Sequence, residues 1–244
     1  MLKLSWGFAL HCDRAEDLSD LRDLLQVEVQ RLGFRYFALC SHVNPARPPK
    51  GAIILHNYPV AWERHFRANN YARRDPVFLR AREQTLAFSW TDPEFLAGIE
   101  DDQRQIMTEA AEHGLIHGVT IPLHGPNRYS ASCSLVSETA HIEITAVHQA
   151  DQFAKSAYEA GCRLVGVPEH RPSVRLSRRE RQCMQLVAIG KDDETIAIIL
   201  GIESATVRNY VDSAKHRLGV SKRTHAVARA IYVGAINLEE IFYE

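Results

Sequence analysis

Residues 57–78, NYPVAWERHFRANNYARRDPVF, place three aromatics four apart, Tyr58, Trp62 and Phe66, and then a carboxylate, Asp75, directly before Pro76. On a helix, residues four apart share a face, drifting by about 40° per step. The spacing predicts one aromatic wall on a helix that starts at Pro59 and ends before Asp75-Pro76. Three readings of that wall stand side by side. It can be ordinary core. Asp75 can be drawn outward by Arg73 and Arg74 into a surface ion pair that contributes little. Or the three polar groups can face a guest: the Trp62 indole N–H only donates, an ionised Asp75 only accepts, and the Tyr58 hydroxyl does either. A molecule with a carbonyl beside an amide N–H complements all three. In that case each buried CH₂ of an apolar tail contributes about 0.8 kcal/mol and each neutral hydrogen bond about 0.5–1.5 kcal/mol. The tail then supplies most of the affinity and the polar groups supply orientation.

A second pattern lies beyond residue 174. LSRRERQCMQLVAIGK opens with Ser177 and carries Glu180 three residues on, a capping box at a helix start. Its apolar face holds Cys183, Met184, Val187 and Ala188. DDETIAIILGI predicts a short second helix with Ile196, Ile199 and Leu200 turned inward, closed by Gly201. Glu203 and Ser204 open a third helix, SATVRNYVDSAKHRLGV, and SKRTHAVARAIYVGAI gives a fourth. A short helix, a glycine turn and a longer basic helix form a helix-turn-helix unit, which lays its second helix in the DNA major groove. Thr206, Arg208, Asn209, Asp212 and Lys215 are the candidate groove residues, with Arg208 able to fork onto a guanine edge. Lys191, Arg217, Lys222 and Arg223, at helix ends, are candidate phosphate contacts.

The elements that must carry these groups follow from periodicity. Residues 16–32 predict a helix on Leu18, Leu21, Leu24, Leu25, Val29 and Leu32, stopped by Gly33. FRYFALCSHV and KGAIILHNY read as strands separated by the turn NPARPP. AFSW (87–90) reads as a short strand, DDQRQIMTEAAEHGL as a helix stopped by Gly114, and GVTIPLHGPNRYSASCSLVSE as a hairpin turning at HGPN. Residues 141–164 form a long amphipathic helix. This order predicts an α+β N-terminal α/β/α sandwich with a mostly antiparallel sheet, followed by an all-α helix-turn-helix domain of four helices. The boundaries read as 1–165, a polar linker at 166–174, and 175–244.

Residues 175–236 resemble the LuxR/GerE DNA-binding domain. The family pattern is met at Leu176, Arg179, Glu180, Gly190, Lys191, Ile196, Ala197, Leu200, Ile202, Thr206, Val207, Leu218, Arg223, Ala226, Val227, Ala230, Gly234 and Ile236. The chain departs from it at Leu186, where the family often has Trp, and at Tyr210 to Ala214, where the family often has His-x-x-Asn-Ala. The opening stretch resembles the acyl-homoserine-lactone-binding domain of LuxR-type quorum-sensing regulators. Trp62, Asp75 and Pro76 meet its Trp-x₃-Tyr-x₈-Asp-Pro motif, with Phe66 in place of Tyr, and Trp90 and Gly118 fall at its spacing. The resemblance implies that Trp62 bonds a lactone carbonyl, Asp75 takes the amide N–H, Tyr58 reaches the acyl carbonyl, and Ser134 reaches the acyl amide region. It also implies that Val77, Ile106, Ala110 and Leu115 line the tail pocket. Its further implications are a homodimer paired through the last helix, double-stranded DNA with an inverted-repeat operator as partner, and RNA polymerase as a further contact. The resemblance likewise implies an N-acyl homoserine lactone as ligand and no cofactor.

Composition sets outer limits. Of 244 residues, 45% are hydrophobic, enough for a sizeable core. Residues 1–170 hold 17 Lys/Arg against 21 Asp/Glu, and residues 171–230 hold 12 against 6, so the second half is the basic one. No apolar run approaches the length of a membrane span. The N-terminus, MLKLSWGFALHCDRAED, lacks a small-residue cleavage site and reads poorly as a secretion signal, which points to the cytoplasm. Five cysteines without a C-x-x-C pair read as reduced thiols. The nucleophile-elbow, dinucleotide, Walker A and HExxH signatures are lacking, so the chain does not read as an enzyme. His113 and His117 read as a surface pair rather than metal ligands, because Gly114 interrupts their helix. The alternative function is a constitutive LuxR-type regulator whose N-terminal domain only dimerises or senses a different small molecule. A response regulator is disfavoured, since residues 1–165 lack alternating parallel strands.

Overall fold

A computed structural model describes residues 2–125, 130–167 and 174–237, with backbone alone for 2–6. The chain divides into two compact units, 1–167 and 168–244. Most of the linker and half of the HGPN turn fall outside the described residues.

In the first unit, five strands form one antiparallel sheet: β1 (Tyr36–Ser41), β2 (Ile54–His56), β3 (Phe88–Ser89), β4 (His117–Leu123) and β5 (Ala131–Ser137), in the order β2-β1-β5-β4-β3. Side chains alternate across a strand, so the two faces separate cleanly. Phe37, Leu39, Val119, Ile121, Cys133 and Leu135 enter one core. That face is covered by α1 (Leu2–Arg14), α2 (Leu18–Arg31) and α7 (Ile144–Leu164), with Phe8 against Phe153 at 4.7 Å between ring centroids. The other face is covered by α3 (Val60–Ala68), α4 (Pro76–Glu83), α5 (Pro93–Ala97) and α6 (Asp101–Glu112), which build a second, aromatic cluster around Trp62, Tyr71, Phe88, Trp90 and Phe95. The predicted sandwich is therefore the observed one.

Three details differ from the sequence reading. Helices α1, α4 and α5 were not predicted. α4 and α5 are short, and both start at a proline with an aspartate cap, Asp75 or Asp92, a signal easily read as a turn. The helix after Pro59 ends at Ala68, not before Asp75. Asn70 there adopts a left-handed conformation (φ 53°), and a single 3₁₀ turn, Tyr71–Arg73, follows. Tyr58 lies before α3 rather than on it, so only Trp62 and Phe66 share its face.

The second unit contains α8 (Arg178–Ala188), α9 (Asp193–Leu200), α10 (Ser204–Leu218) and α11 (Arg223–Tyr232) around Met184, Ile196, Val207, Val211, Ala214 and Ala230. The Ser177–Glu180 capping box is present. Gly201 closes α9 at φ +64° and Gly219 closes α10 at φ +68°, a conformation glycine adopts without steric cost. Ile199, predicted inward, is half exposed, and its neighbour Ile198 is 82% exposed. α9 is only two turns long, so its inward stripe is satisfied by Ile196 and Ala197, with Leu200 partly buried beside them. Four of the five cysteines, Cys12, Cys133, Cys162 and Cys183, are buried.

Candidate functional sites in the two units

The aromatic face of the sheet encloses a cavity of about 870 Å³, its mouth included. The register explains its floor. His56 lies opposite Ala38, Ala38 opposite Ser134, Ser134 opposite Thr120, and Thr120 opposite Phe88, so one row crosses all five strands on the cavity side. Small residues in this row, Ala38 and Ser134, leave space above the sheet. Gly118, in the neighbouring row opposite Val136, makes room for the Trp90 ring: a Cβ there would sit 2.2 Å from Trp90 Cδ2. Gly118→Ala must therefore displace the indole. Overpacking of this kind costs about 1–3 kcal/mol, and a drop of about 2–4 °C in melting temperature per kcal/mol is expected by calorimetry.

Ten residues singled out from the sequence, Tyr58, Trp62, Phe66, Asp75, Val77, Trp90, Ile106, Ala110, Leu115 and Ser134, come together around this one cavity. Trp62 is buried, with Phe66, Tyr71 and His113 rings within about 6.3 Å. Its indole N–H donates to no group among the described residues. Tyr71, which the sequence did not mark, donates its hydroxyl to Glu109, and His65 contacts the same carboxylate at 2.7 Å. These bonds, that from Tyr71 first, hold the Glu109 carboxyl down at about 2. The group thus braces α3, the 3₁₀ turn and α6 behind Trp62. His113 joins this ring cluster through its Nδ1, 2.8 Å from the Glu109 carbonyl oxygen, rather than pairing with His117 on the surface.

Asp75 is buried, 8% exposed. Desolvation pushes its carboxyl up to about 6, and bonds from the backbone N–H groups of Val77 and Phe78 only partly offset that. The acid is thus less solitary than the sequence suggested: one oxygen caps α4, accepting from Val77 N at 2.8 Å. Arg74 does not draw Asp75 outward. It stacks over Tyr71 and reaches Asp102 at 3.4 Å. Burial also raises the Tyr58 hydroxyl well above the ordinary tyrosine range, so it stays a neutral donor or acceptor.

Around these groups the wall is apolar, with Val43, Pro45, Ile54, Phe78 and Met107 added by the structure. Pro45 comes from the Pro-rich turn, where periodicity gives no orientation. The further polar residues that line the cavity are Ser41, His56, Glu63 and Arg67. Glu63 pairs with Arg67 at 2.9 Å, and His56 Nε2 stands 3.8 Å from Glu63. A largely apolar cavity of this size with a few convergent polar groups suits a small amphipathic molecule.

In the second unit, Arg208, Asn209 and Asp212 are exposed on one face of α10, with Thr206 and Lys215 half-buried. Lys191 and Lys222 are exposed at helix ends. The cations are not equally available. Arg223 binds Asp193 and the Lys191 carbonyl, Lys215 binds Asp212 at 2.8 Å, and Arg208 stands 3.7 Å from Asp193. Arg217 donates from Nε to Glu180 at 3.0 Å. Glu180 is 3% exposed and also accepts from Ser177 N and the Ser213 hydroxyl. Burial pushes its carboxyl up, but these bonds outweigh burial and hold it below the ordinary range. Sequence reasoning saw the cap but not Ser213 and Arg217, because they are more than 30 residues away.

Comparison with known proteins is consistent across the chain. Residues 17–160 match the autoinducer binding domain, and residues 174–230 match the bacterial regulatory proteins of the luxR family. The transcriptional activator protein BjaR1 of Bradyrhizobium diazoefficiens is 28% identical over 218 residues, spanning 89% of this chain and 90% of its own. The quorum-sensing regulator RhlR of Pseudomonas aeruginosa is 30% identical over 218 residues, spanning 87% and 88%. Among solved structures, SdiA of Escherichia coli has a TM-score of 0.67 at 24% identity, covering 97% of this chain and 99% of its own, which shows a shared fold. With an autoinducer binding domain followed by a helix-turn-helix DNA-binding domain, the chain belongs to the LuxR family of quorum-sensing transcriptional regulators.

Proposed function

We propose that the autoinducer of this regulator is an N-acyl homoserine lactone, held in the first unit with its lactone carbonyl on Trp62, its amide N–H on Asp75 and its acyl carbonyl on Tyr58, near Ser134. The carrying observation is that two buried residues on the wall of one largely apolar cavity are an indole donor with no partner among the described residues, Trp62, and a carboxylate, Asp75, that burial pushes up. Val77, Trp90, Ile106, Ala110, Leu115 and Phe66 surround the tail. A ligand that binds only the folded state stabilises it by about 2.7 kcal/mol at a hundredfold excess over Kd. A panel of N-acyl homoserine lactones should then raise the melting temperature by about 5–10 °C for its best member. No rise with any member would sink this reading.

The second reading is a different small amphiphile. SdiA, which shares the fold, is described in complex with octanoyl-rac-glycerol, and Asp75 can accept from a hydroxyl as well as from an amide. Including monoacylglycerols in the same panel separates the two.

The regulator acts as a homodimer on an inverted-repeat operator in the cytoplasm, with RNA polymerase as a further contact and no catalytic role. Thr206, Arg208, Asn209, Asp212 and Lys215 face the groove. Lys191 and Lys222 meet phosphates, with Arg217 and Arg223 beside them. Arg208→Ala should weaken specific operator binding by about 1–3 kcal/mol and relax base preference at one position. A footprinting series against single-base operator variants reads this directly. Unaltered preference would remove Arg208 from the groove.

A further inference from the structure

We propose that Glu109, on α6 and outside the cavity wall, is a positioning residue that sets the angle of the Trp62 indole and so makes the site select a guest with a carbonyl on its head ring. The proposal rests on the ligand reading above and adds to it what aims the indole donor.

Four rings pack against Trp62: His113 at 5.6 Å between centroids, Phe66 at 5.7 Å, His65 at 6.0 Å and Tyr71 at 6.3 Å. Three of the four are bonded to Glu109. Its carboxylate accepts from the Tyr71 hydroxyl and from His65 Nε2 at 2.7 Å, and its main-chain carbonyl accepts from His113 Nδ1 at 2.8 Å. A carboxylate and a carbonyl only accept, so each ring nitrogen in these bonds carries a proton. Gln105 gives the same carboxylate a further donor at 2.8 Å. Three donors suit a group with two oxygens and four lone-pair sites, and they keep it ionised, at about 2. The rings also meet one another: His65 and Tyr71 at 5.7 Å, His65 and His113 at 6.0 Å with 27° between their planes. They come from α3, the 3₁₀ turn and α6, and Glu109 ties all three into one frame.

That frame bears on one bond to the guest. A hydrogen bond weakens steeply as its angle closes toward about 120°, so a lactone carbonyl on Trp62 feels the tilt of the indole. An apolar tail does not, because burial of CH₂ groups is non-directional. Glu109 thus acts on the head carbonyl through Trp62 and leaves the rest of the guest to other residues.

The test uses the full chain and two probe series of matched acyl length, from butanoyl to dodecanoyl. One is N-acyl homoserine lactones. The other is N-acyl cyclopentylamines, which keep the amide and the five-membered ring but lack the ring carbonyl. Affinity is compared at the length that the wild type binds best. Glu109→Ala removes the carboxylate, keeps the carbonyl that His113 uses and suits a helix. E109A should bind the lactone about fivefold to tenfold more weakly, the worth of one neutral hydrogen bond, and the cyclopentylamine within about twofold of the wild type. In Trp62→Phe, which has no indole donor, E109A should change neither affinity. Equal losses for the two probes, the mark of a merely structural role, would overturn the proposal, as would an unchanged lactone affinity. Tyr71→Phe keeps the ring and removes one bond. It should give a smaller loss with the same selectivity and add little to E109A, and it carries the test if E109A does not fold. A readout without ligand accompanies these: the NMR order parameter of the Trp62 indole N–H, assigned through W62F, should be about 0.85 in the wild type, as for rigid backbone, and should fall in E109A. An order parameter that does not fall would also overturn the proposal. Should the wild type bind neither probe series, the ligand reading fails while this measurement still judges the positioning role.

Discussion

Asp75→Asn should weaken binding of the proposed N-acyl homoserine lactone ligand by about tenfold to a hundredfold while leaving the sensor unit folded. Asn caps a helix about as well as Asp, so the bond from Val77 N to the side chain survives. What disappears is the charge on the acceptor, and a hydrogen bond to a charged group contributes about 1.5–3 kcal/mol. The pH dependence carries the sharper signature. The Asp75 carboxyl titrates at about 6 in the folded protein, pushed up by desolvation, against about 3.9 in an unfolded chain. An amide N–H bonds the ionised form, so ligand binding draws the proton off. Affinity should rise with pH up to about 6 and level above it, falling by up to about tenfold for each unit below. The Asn variant should show no such slope. Calorimetric titration between pH 5 and 8 measures both, and a wild type as flat as the variant would remove Asp75 from the ligand.

The same shift governs the empty protein with its own sign. A folded pKa above the unfolded one means that Asp75 contributes stability below about pH 4, lost as pH rises to about 6. Glu109 works the other way. Held at about 2 by Tyr71 and His65, it contributes stability above the ordinary glutamate range, lost as pH falls toward 2. On the proposed ligand reading, a donor from the guest would offset the Asp75 penalty, a physical reason for expecting the signal to stabilise the sensor unit.

Glu180→Ala should destabilise the helix-turn-helix unit by about 2–4 kcal/mol, the largest stability effect expected of a single polar side chain here. The carboxylate is 3% exposed and accepts from the start of α8, through Ser177 N at 2.6 Å, and from α10, through Ser213 and Arg217. Truncation removes the capping box and leaves the Ser213 hydroxyl without its acceptor in the interior. Arg217 is half exposed, so water recovers much of its solvation and keeps the cost below that of a sealed ion pair. Glu180→Gln keeps an acceptor and should fall between. Hydrogen exchange on α8 and α10 of the full chain reads the effect without interference from the first unit, and undiminished protection in the alanine variant would count against it. Because the bonds hold the carboxyl below its ordinary range, this contribution is present at neutral pH and is lost on acidification.

Much of this was legible in the linear chain. Leucine spacing at 18–32 and the alternation in FRYFALCSHV fixed a helix and a strand, because burial on one face imposes periods of 3.6 and 2 on the residues themselves. The Ser177–Glu180 cap and the glycine closing α9 are local backbone chemistry, settled within four residues. The aromatic and acidic residues of the opening stretch named the materials of the cavity for the same reason: donors and acceptors are properties of residue types.

Tertiary structure decided what those materials meet. Tyr58 reaches the cavity from before α3 because β2 delivers it there, not because helical spacing does. Asp75 both caps a helix and lines the cavity because α4, unseen in the sequence, starts at Pro76. Thr120 becomes the neighbour of Trp90 and Ser134 only through pairing of strands tens of residues apart, and Glu180 joins Ser213 and Arg217 only when α10 crosses α8. A sequence records which hydrogen-bonding groups exist and the period on which they are buried. Which group is left without a partner is a property of long-range packing, and the proposed ligand site is defined by such groups.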